Sequence, residues 1–218
     1  MLTVHTIPGS PYGRAVLIAC HEKNAPYRLA PVTPGAHKQP AYLAHHPFGR
    51  IPTVEDDGFW LYETQAVERY IDAVYGTPRA LTPKDPKAEA RMNQVMGIID
   101  WYFFADNGAK TLVFNRVVAP KLGFPSNDEA AVAAIPATRH ATEALAGFLA
   151  KSPYLAGDAF SLADIHAGAQ VDMLTDCEEG VQMVKGTPIE AWLERLRVRP
   201  SFAATTWPRV AEAAMAAA

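Results

Sequence analysis

The chain changes character after residue 78, and that change constrains its fold more than any other feature. Residues 1–78 alternate short strand and helix patterns, whereas from 87 onward no convincing strand appears. Between them, "TPRALTPKDPKAEA" carries Pro78, Pro83 and Pro86 and reads as a linker. With 218 residues there is room for two small domains. The expected organisation is an α/β domain over 1–78, a linker over 79–86 and an all-α domain over 87–218.

In the first part, "LTVHTI" reads as a strand and residues 11–23 as a helix, with Ala15, Leu17, Ile18 and Ala19 supplying its apolar positions. "YRLAPV" (27–32) follows closely enough to complete a right-handed βαβ unit. "PGAHKQPAYLAHHPFG" reads as loop with a short helical piece. "IPTVEDDGFWLY" reads as a hairpin turning at Asp57-Gly58, and "TQAVERYIDAVYG" (64–76) as a helix stopped by Gly76. The order β-α-β-(α)-β-β-α resembles a thioredoxin-like domain.

The second part reads as helices only. One long helix or two should run from the linker to Pro120, and another over 126–152 with a kink at Pro136. "DAFSLADIH" carries a full helix start: Ser161 as cap, Asp164 as the reciprocal acid, and Phe160 with Ile165 as the hydrophobic staple. That pattern reads as a folding motif without a ligand. Thr187-Pro188 starts a further helix, and the tail "AEAAMAAA" is helix-prone.

Composition narrows the function. A net charge of −3 gives no basic face for nucleic acid, and no apolar run approaches the length of a membrane span. The N-terminus lacks the pattern of a signal peptide. Cys20 and Cys177 lie far apart and outside any CxxC, which suggests a reducing cytoplasm and two buried thiols. Phosphate-loop, zinc-protease and serine-hydrolase motifs are absent, and His45-His46 has no acid or thiol cluster to make a metal site.

Four short segments carry candidate chemistry. Ser10 stands at the first strand-to-helix turn, where it serves as a helix cap or presents a hydroxyl at the sheet edge beside an anion-favouring helix N-terminus. "FGRIP" brings a proline directly into a strand. A trans bond there is ordinary; a cis Ile51-Pro52 bond would turn the backbone toward an extended peptide. Glu63-Thr64 opens a helix. It reads as a threonine cap with an acid beside it, or as a site for a carboxylate and a neighbouring ammonium. His37-Lys38 places two basic groups in a loop that is otherwise plain solvated surface.

Together, in this order, "SPYGRAV", "HK", "RIP" and "ET" resemble the cytosolic glutathione transferase family, and the resemblance spans the whole chain. Ser10 lies where the theta- and phi-like classes of that family carry their serine. Thr64 departs from the serine usual there but keeps the hydroxyl. No cysteine stands at position 10, which disfavours mixed-disulfide chemistry.

The resemblance implies a set of roles. Glutathione is the co-substrate: Glu63 and Thr64 hold its γ-glutamyl head, the Ile51 backbone before Pro52 pairs with its cysteinyl residue, His37 and Lys38 meet its glycyl carboxylate, and Arg50 is among its binding residues. Ser10 donates to the thiolate, with Tyr12 the second choice. The acceptor, a small hydrophobic electrophile, lies in an apolar cleft between the domains, with Tyr12, Tyr102, Phe103 and Phe104 as candidate contacts; core or dimer packing is the alternative for the aromatics. A cytoplasmic homodimer is implied, with Phe48 inserting into the partner. Other glutathione reactions (peroxide reduction, isomerisation, dehalogenation) and a non-catalytic binding module remain open. The Ser-Ser-Cys run of maleylacetoacetate-isomerase-like proteins is missing.

Overall fold

The computed structural model describes residues 1–75 and 80–217. By packing, the chain divides into two compact units, Met1–Leu81 with Arg197–Ala218, and Thr82–Leu196. The expected boundary at 78 and the helix stop at Gly76 lie outside the described residues.

In the first unit, β1 (Leu2–Thr6), α1 (Pro11–Glu22) and β2 (Tyr27–Pro31) form the βαβ unit. A short helix α2 (Pro40–Leu43) precedes the hairpin β3 (Thr53–Asp56) and β4 (Phe59–Leu61), and α3 (Thr64–Val74) follows. The sheet order is β2-β1-β3-β4, with β1 parallel to β2 and the other pairs antiparallel. This is the expected thioredoxin-like arrangement. Asp57 and Gly58 both take positive φ, 48° and 88°, as the tight hairpin turn requires.

Helix α1 starts as its sequence dictates. Ser10 is the N-cap in extended conformation, Pro11 follows, and Ser10 Oγ accepts from Gly13 N at 3.1 Å. Gly13 lies close against Thr6 at the end of β1: a Cβ there would stand 2.0 Å from Thr6 Oγ1. The apolar stripe read from the sequence understates the helix, because every residue from Ala15 to Cys20 is buried. The reason is cover from β1, from α3 alongside it and from the C-terminal segment, which packs in this unit rather than with the helices that precede it in sequence. Its Arg199 makes a bidentate pair with Glu22 (2.8 and 2.6 Å), and Arg14 donates to the Phe202 carbonyl at 3.3 Å. A second buried tie joins Lys23 to Asp72 at 2.8 Å, and the same carboxylate accepts from Leu81 N. Cys20 is free and buried, and burial pushes its thiol up to about 12; Cys177 is likewise free and buried.

The second unit is helical among the described residues. Its first helix, α4 (Pro86–Ile98), capped by Asp85, widens into a π-turn over Ile99–Phe103. The chain then breaks before α5 (Ala109–Val113), where Gly108 approaches the Phe103 carbonyl too closely for any side chain. A second π-turn (Phe114–Val118) leads into α6 (Ala119–Leu122). The expected stop at Pro120 is therefore corrected. Pro120 sits in the first positions of that last turn, where a missing N–H costs little, and the chain leaves at Gly123 with φ 71°. Helix α7 (Asp128–Leu149) runs through Pro136, which lies on its exposed side.

Helix α8 (Leu162–Leu174) is the centre of this unit. Asp164 is fully buried and accepts from Leu155 N, Ser161 N and Trp192 Nε1, each at 2.9 Å, and from Ser161 Oγ at 3.1 Å. Burial raises its carboxyl pKa against the pull of those donors. The motif thus ties the helix start to a loop and to another helix, as its folding reading requires. Then come α9 (Glu178–Val184) and α10 (Pro188–Arg197); Ile189 N donates to Thr187 Oγ1 at 3.3 Å. Finally α11 (Pro200–Ala204) and α12 (Trp207–Ala217) belong to the first unit's packing.

Candidate active site

Strand registers bring the four sequence segments to one edge of the sheet. Thr6 at the end of β1 pairs with Pro31 at the end of β2, so the turn carrying Ser10 and the loop carrying His37-Lys38 leave from the same edge. His5 pairs with Thr53, so β3 begins there, directly after Ile51-Pro52. Val54 pairs with Leu61, so β4 returns to that edge and delivers Glu63-Thr64.

The Ile51-Pro52 bond is cis, as the functional reading of "RIP" expects. Pro52 is buried and Ile51 half-buried. Glu63 holds an unusual backbone, φ 67° and ψ 107°, and is the N-cap of α3. The threonine-cap reading is therefore corrected: Thr64 is the first helical residue, buried, and no side chain caps this helix. A bulky non-glycine residue at such φ carries backbone strain, and here it leaves the Glu63 side chain exposed at a positive helix end.

The basic loop folds as a 3₁₀ turn over Ala36–Lys38. Lys38 Nζ donates to the Gly49 carbonyl, which ties this loop to the segment ahead of Pro52. His37 Nδ1 is buried without a protein partner. Its pKa is lowered, first by desolvation and then by Lys38. His46 is buried, stacks on Tyr62 with centroids 4.5 Å apart, and has its pKa lowered by desolvation, then Arg50 and Lys38. Those last two causes place Lys38 and exposed Arg50 in one positive field. His45 stacks on Trp60 at 3.6 Å; neither histidine joins a metal cluster, and no group that could hold a metal occurs among the described residues.

Ser10 is half-buried. Its cap bond uses one lone pair of Oγ, which leaves the hydroxyl proton for another partner. The two readings of Ser10 are thus compatible in one geometry. The turn leading to it has Ser10 N on the Ile7 carbonyl at 3.0 Å, Pro8 second and Gly9 third with φ 90°, the pattern of a type II turn. Tyr12 lies half-buried in the first turn of α1. Of the aromatic run, Phe103 and Phe104 are buried core, whereas Trp101 and Tyr102 are 78% and 67% exposed. Tyr102 lines an open groove in the second unit with Trp101, Ala137 and His140.

The family models decide the family. The model of the glutathione S-transferase N-terminal domain matches residues 9–74, and that of the C-terminal domain matches residues 90–200. The chain belongs to the glutathione S-transferase family. It is 36% identical over 170 residues to glutathione S-transferase PM239X14 of Arabidopsis thaliana, covering 76% of this chain and 77% of that one. Identity is 34% over 210 residues to glutathione S-transferase 3 of Zea mays, covering 94% and 92%. The crystal structure of glutathione transferase F7 from Populus trichocarpa superposes with a TM-score of 0.83 at 28% identity, covering 98% of this chain and 99% of that one. Membership makes this chain a transferase with a thioredoxin-like domain and a helical domain. No helix among the described residues is long and apolar enough to cross a membrane.

Proposed function

We propose that this family member binds glutathione along the sheet edge of its first unit, ionises the thiol, and transfers the sulfur to a small hydrophobic electrophile. The observation that carries the reading is the convergence of Ser10, His37-Lys38, Ile51-Pro52 and Glu63-Thr64 on that one edge. The γ-glutamyl carboxylate sits at the uncapped N-terminus of α3 with the Thr64 hydroxyl, and Glu63 takes the ammonium. The Ile51 backbone pairs with the cysteinyl residue. His37, Lys38 and Arg50 take the glycyl carboxylate: Lys38 and Arg50 supply the positive field that favours it, and His37 donates as a neutral imidazole.

The thiol then lies at the start of α1. A free thiol is mostly protonated at neutral pH, and the thiolate is the nucleophile. Lowering its pKa by ~2 units requires ~2.7 kcal/mol. A hydrogen bond to a charged acceptor supplies ~1.5–3 kcal/mol, and a helix N-terminus adds ~0.3–1 kcal/mol. Ser10 therefore suffices as a donor, as in theta- and phi-like members, and needs no base. The thiol proton passes to solvent, the sulfur forms a bond to the electrophilic carbon, and the displaced group leaves with the bonding pair. Of the four candidate acceptor contacts, Tyr12 is half-buried in the first unit and Tyr102 is exposed in the second. We further infer a cytoplasmic homodimer, with Phe48 (67% exposed) as its anchor.

Glutathione-agarose retention combined with turnover of a chloronitrobenzene tests the reading. Ser10→Ala should keep retention and lose most turnover at pH 6.5. Retention without turnover in the unaltered protein would instead make it a binding module.

A further inference from the structure

We propose that Trp207 is a positioning residue for Ser10: its ring, brought by the C-terminal segment, fixes the Pro8-Gly9 turn that aims the serine hydroxyl. The proposal rests on the reading of Ser10 as thiolate donor.

The contact is direct. A Cβ on Gly9 would stand 2.4, 2.6 and 2.7 Å from three carbons of the Trp207 indole, so the ring lies flat against the bare backbone of the turn. Gly9 is required twice, by φ 90° and by this approach. On its other side the turn is held by the Ser10–Gly13 cap, with Gly13 seated against Thr6. Ser10 therefore sits between two packed surfaces.

Trp207 is itself held firmly. Arg199 and Ser201 bind Glu22 at the end of α1, and Arg14, in its first turn, donates to the Phe202 carbonyl. Thr205 Oγ1 donates to the Ser201 carbonyl at 2.8 Å, and Val210 and Ala214 bury the inner face of α12. The segment thus runs from the last turn of α1 back to its first and meets the turn before Ser10 at Trp207, where α12 begins. A hydrogen bond weakens steeply with misalignment, and a small displacement of an aligned group costs orders of magnitude in rate. A turn free to shift by even a fraction of an ångström would lose the aim of Oγ without losing glutathione, whose head-group contacts lie on other segments.

Trp207 carries no charge. Removing the indole therefore removes no ionised group from beside the thiol.

The test titrates the bound thiolate by ultraviolet absorbance, with steady-state kinetics, in the unaltered protein, Ser10→Ala, Trp207→Ala, Trp207→Phe and the Ser10→Ala/Trp207→Ala double variant. Trp207→Ala should raise the thiol pKa by about one unit, about tenfold less thiolate at pH 6.5, with KM for glutathione nearly unchanged. Trp207→Phe should recover most of it, and the double variant should titrate like Ser10→Ala. If Trp207→Ala does not fold, Trp207→Leu, which lacks a flat ring, takes its place with the same expectation. A normal titration in the folded Trp207 variant, with Ser10→Ala shifted, overturns the positioning role and leaves the serine reading standing. So does a Trp207 effect that persists in the Ser10→Ala background. A normal titration of Ser10→Ala overturns the serine reading and this proposal together.

Discussion

Replacing Glu63 with glycine should stabilise the protein and weaken its hold on glutathione, two effects of opposite sign from one substitution. Glu63 sits at φ 67° and ψ 107°, outside the regions open to residues with a Cβ. Such a conformation costs about 1–3 kcal/mol, and glycine removes most of that cost. Glycine also gains about 0.5–1 kcal/mol of freedom in the unfolded chain. The net is a gain of about 0–2 kcal/mol, or a melting temperature up to roughly 8 °C higher for a chain of this size. Binding moves the other way. The side chain is exposed, so its contact with the glutathione ammonium is worth the low end of a charged hydrogen bond, about 1.5 kcal/mol, or about tenfold in Kd. Glu63→Gln separates the terms: it keeps the strain and the melt but loses the charge and the affinity. Thermal melts with calorimetric glutathione titrations on all three proteins decide the matter. A lower melt for Glu63→Gly refutes the strain argument. Unchanged affinity in both variants refutes Glu63 as the ammonium partner.

Three further outcomes follow from the same geometry. Gly13→Ala forces a methyl to within 2.0 Å of buried Thr6 Oγ1 and should cost about 1–3 kcal/mol in denaturant unfolding; Thr6→Ala in the same chain should recover part of it. Asp164→Asn puts an NH₂ against donors that now share one carboxylate, and should destabilise by about 3 kcal/mol or more without altering glutathione affinity of the folded fraction, measured by melting and titration. Histidines 5, 37 and 46 all have lowered pKa values, first through burial. The unfolded chain therefore takes up protons that the folded chain refuses, so stability is full above about pH 7 and falls as pH drops through ~6.5 toward the folded values. Melts from pH 7.5 to 5 should show that fall, and His46→Gln should make it shallower; a flat profile refutes it.

What was legible in the sequence is what local chemistry determines. Ser10-Pro11, Asp57-Gly58, Thr187-Pro188 and Ser161 with Asp164 act over a few residues, and each appears where its residues require. The π-turns at 99–103 and 114–118 are different. They carry no residue signal, because an extra residue per turn is set by what packs against it. Pro120 shows the consequence: read locally it ends a helix, but helical backbone runs through it from the widened turn to Gly123. Thr64 was misplaced because a cap is assigned by side-chain type, whereas here the backbone of Glu63 turns the chain and no side chain does.

The site divides along the same line. Its chemistry-bearing residues were legible because each lies in a short segment with its own composition, and strand register alone brings those segments to one edge. What holds the edge rigid was not. The apolar positions of α1 suggested a stripe, but a helix buried at every residue from Ala15 to Cys20 needs cover on more than its sheet side. That excess burial is itself a readable demand: some distant segment must supply the remaining face. Helix α3 supplies part of that face, and the C-terminal segment supplies the rest through Arg199 and Phe202. The Pro8-Gly9 pair makes a second demand, since a positive-φ glycine beside a functional serine often marks where another group approaches the backbone. Both demands are met by a C-terminal segment that holds Trp207 and three arginines, Arg197, Arg199 and Arg209. Composition alone places the tail with the helical region, because its helix-prone residues suit a helix in either unit, whereas its packing is with the first unit.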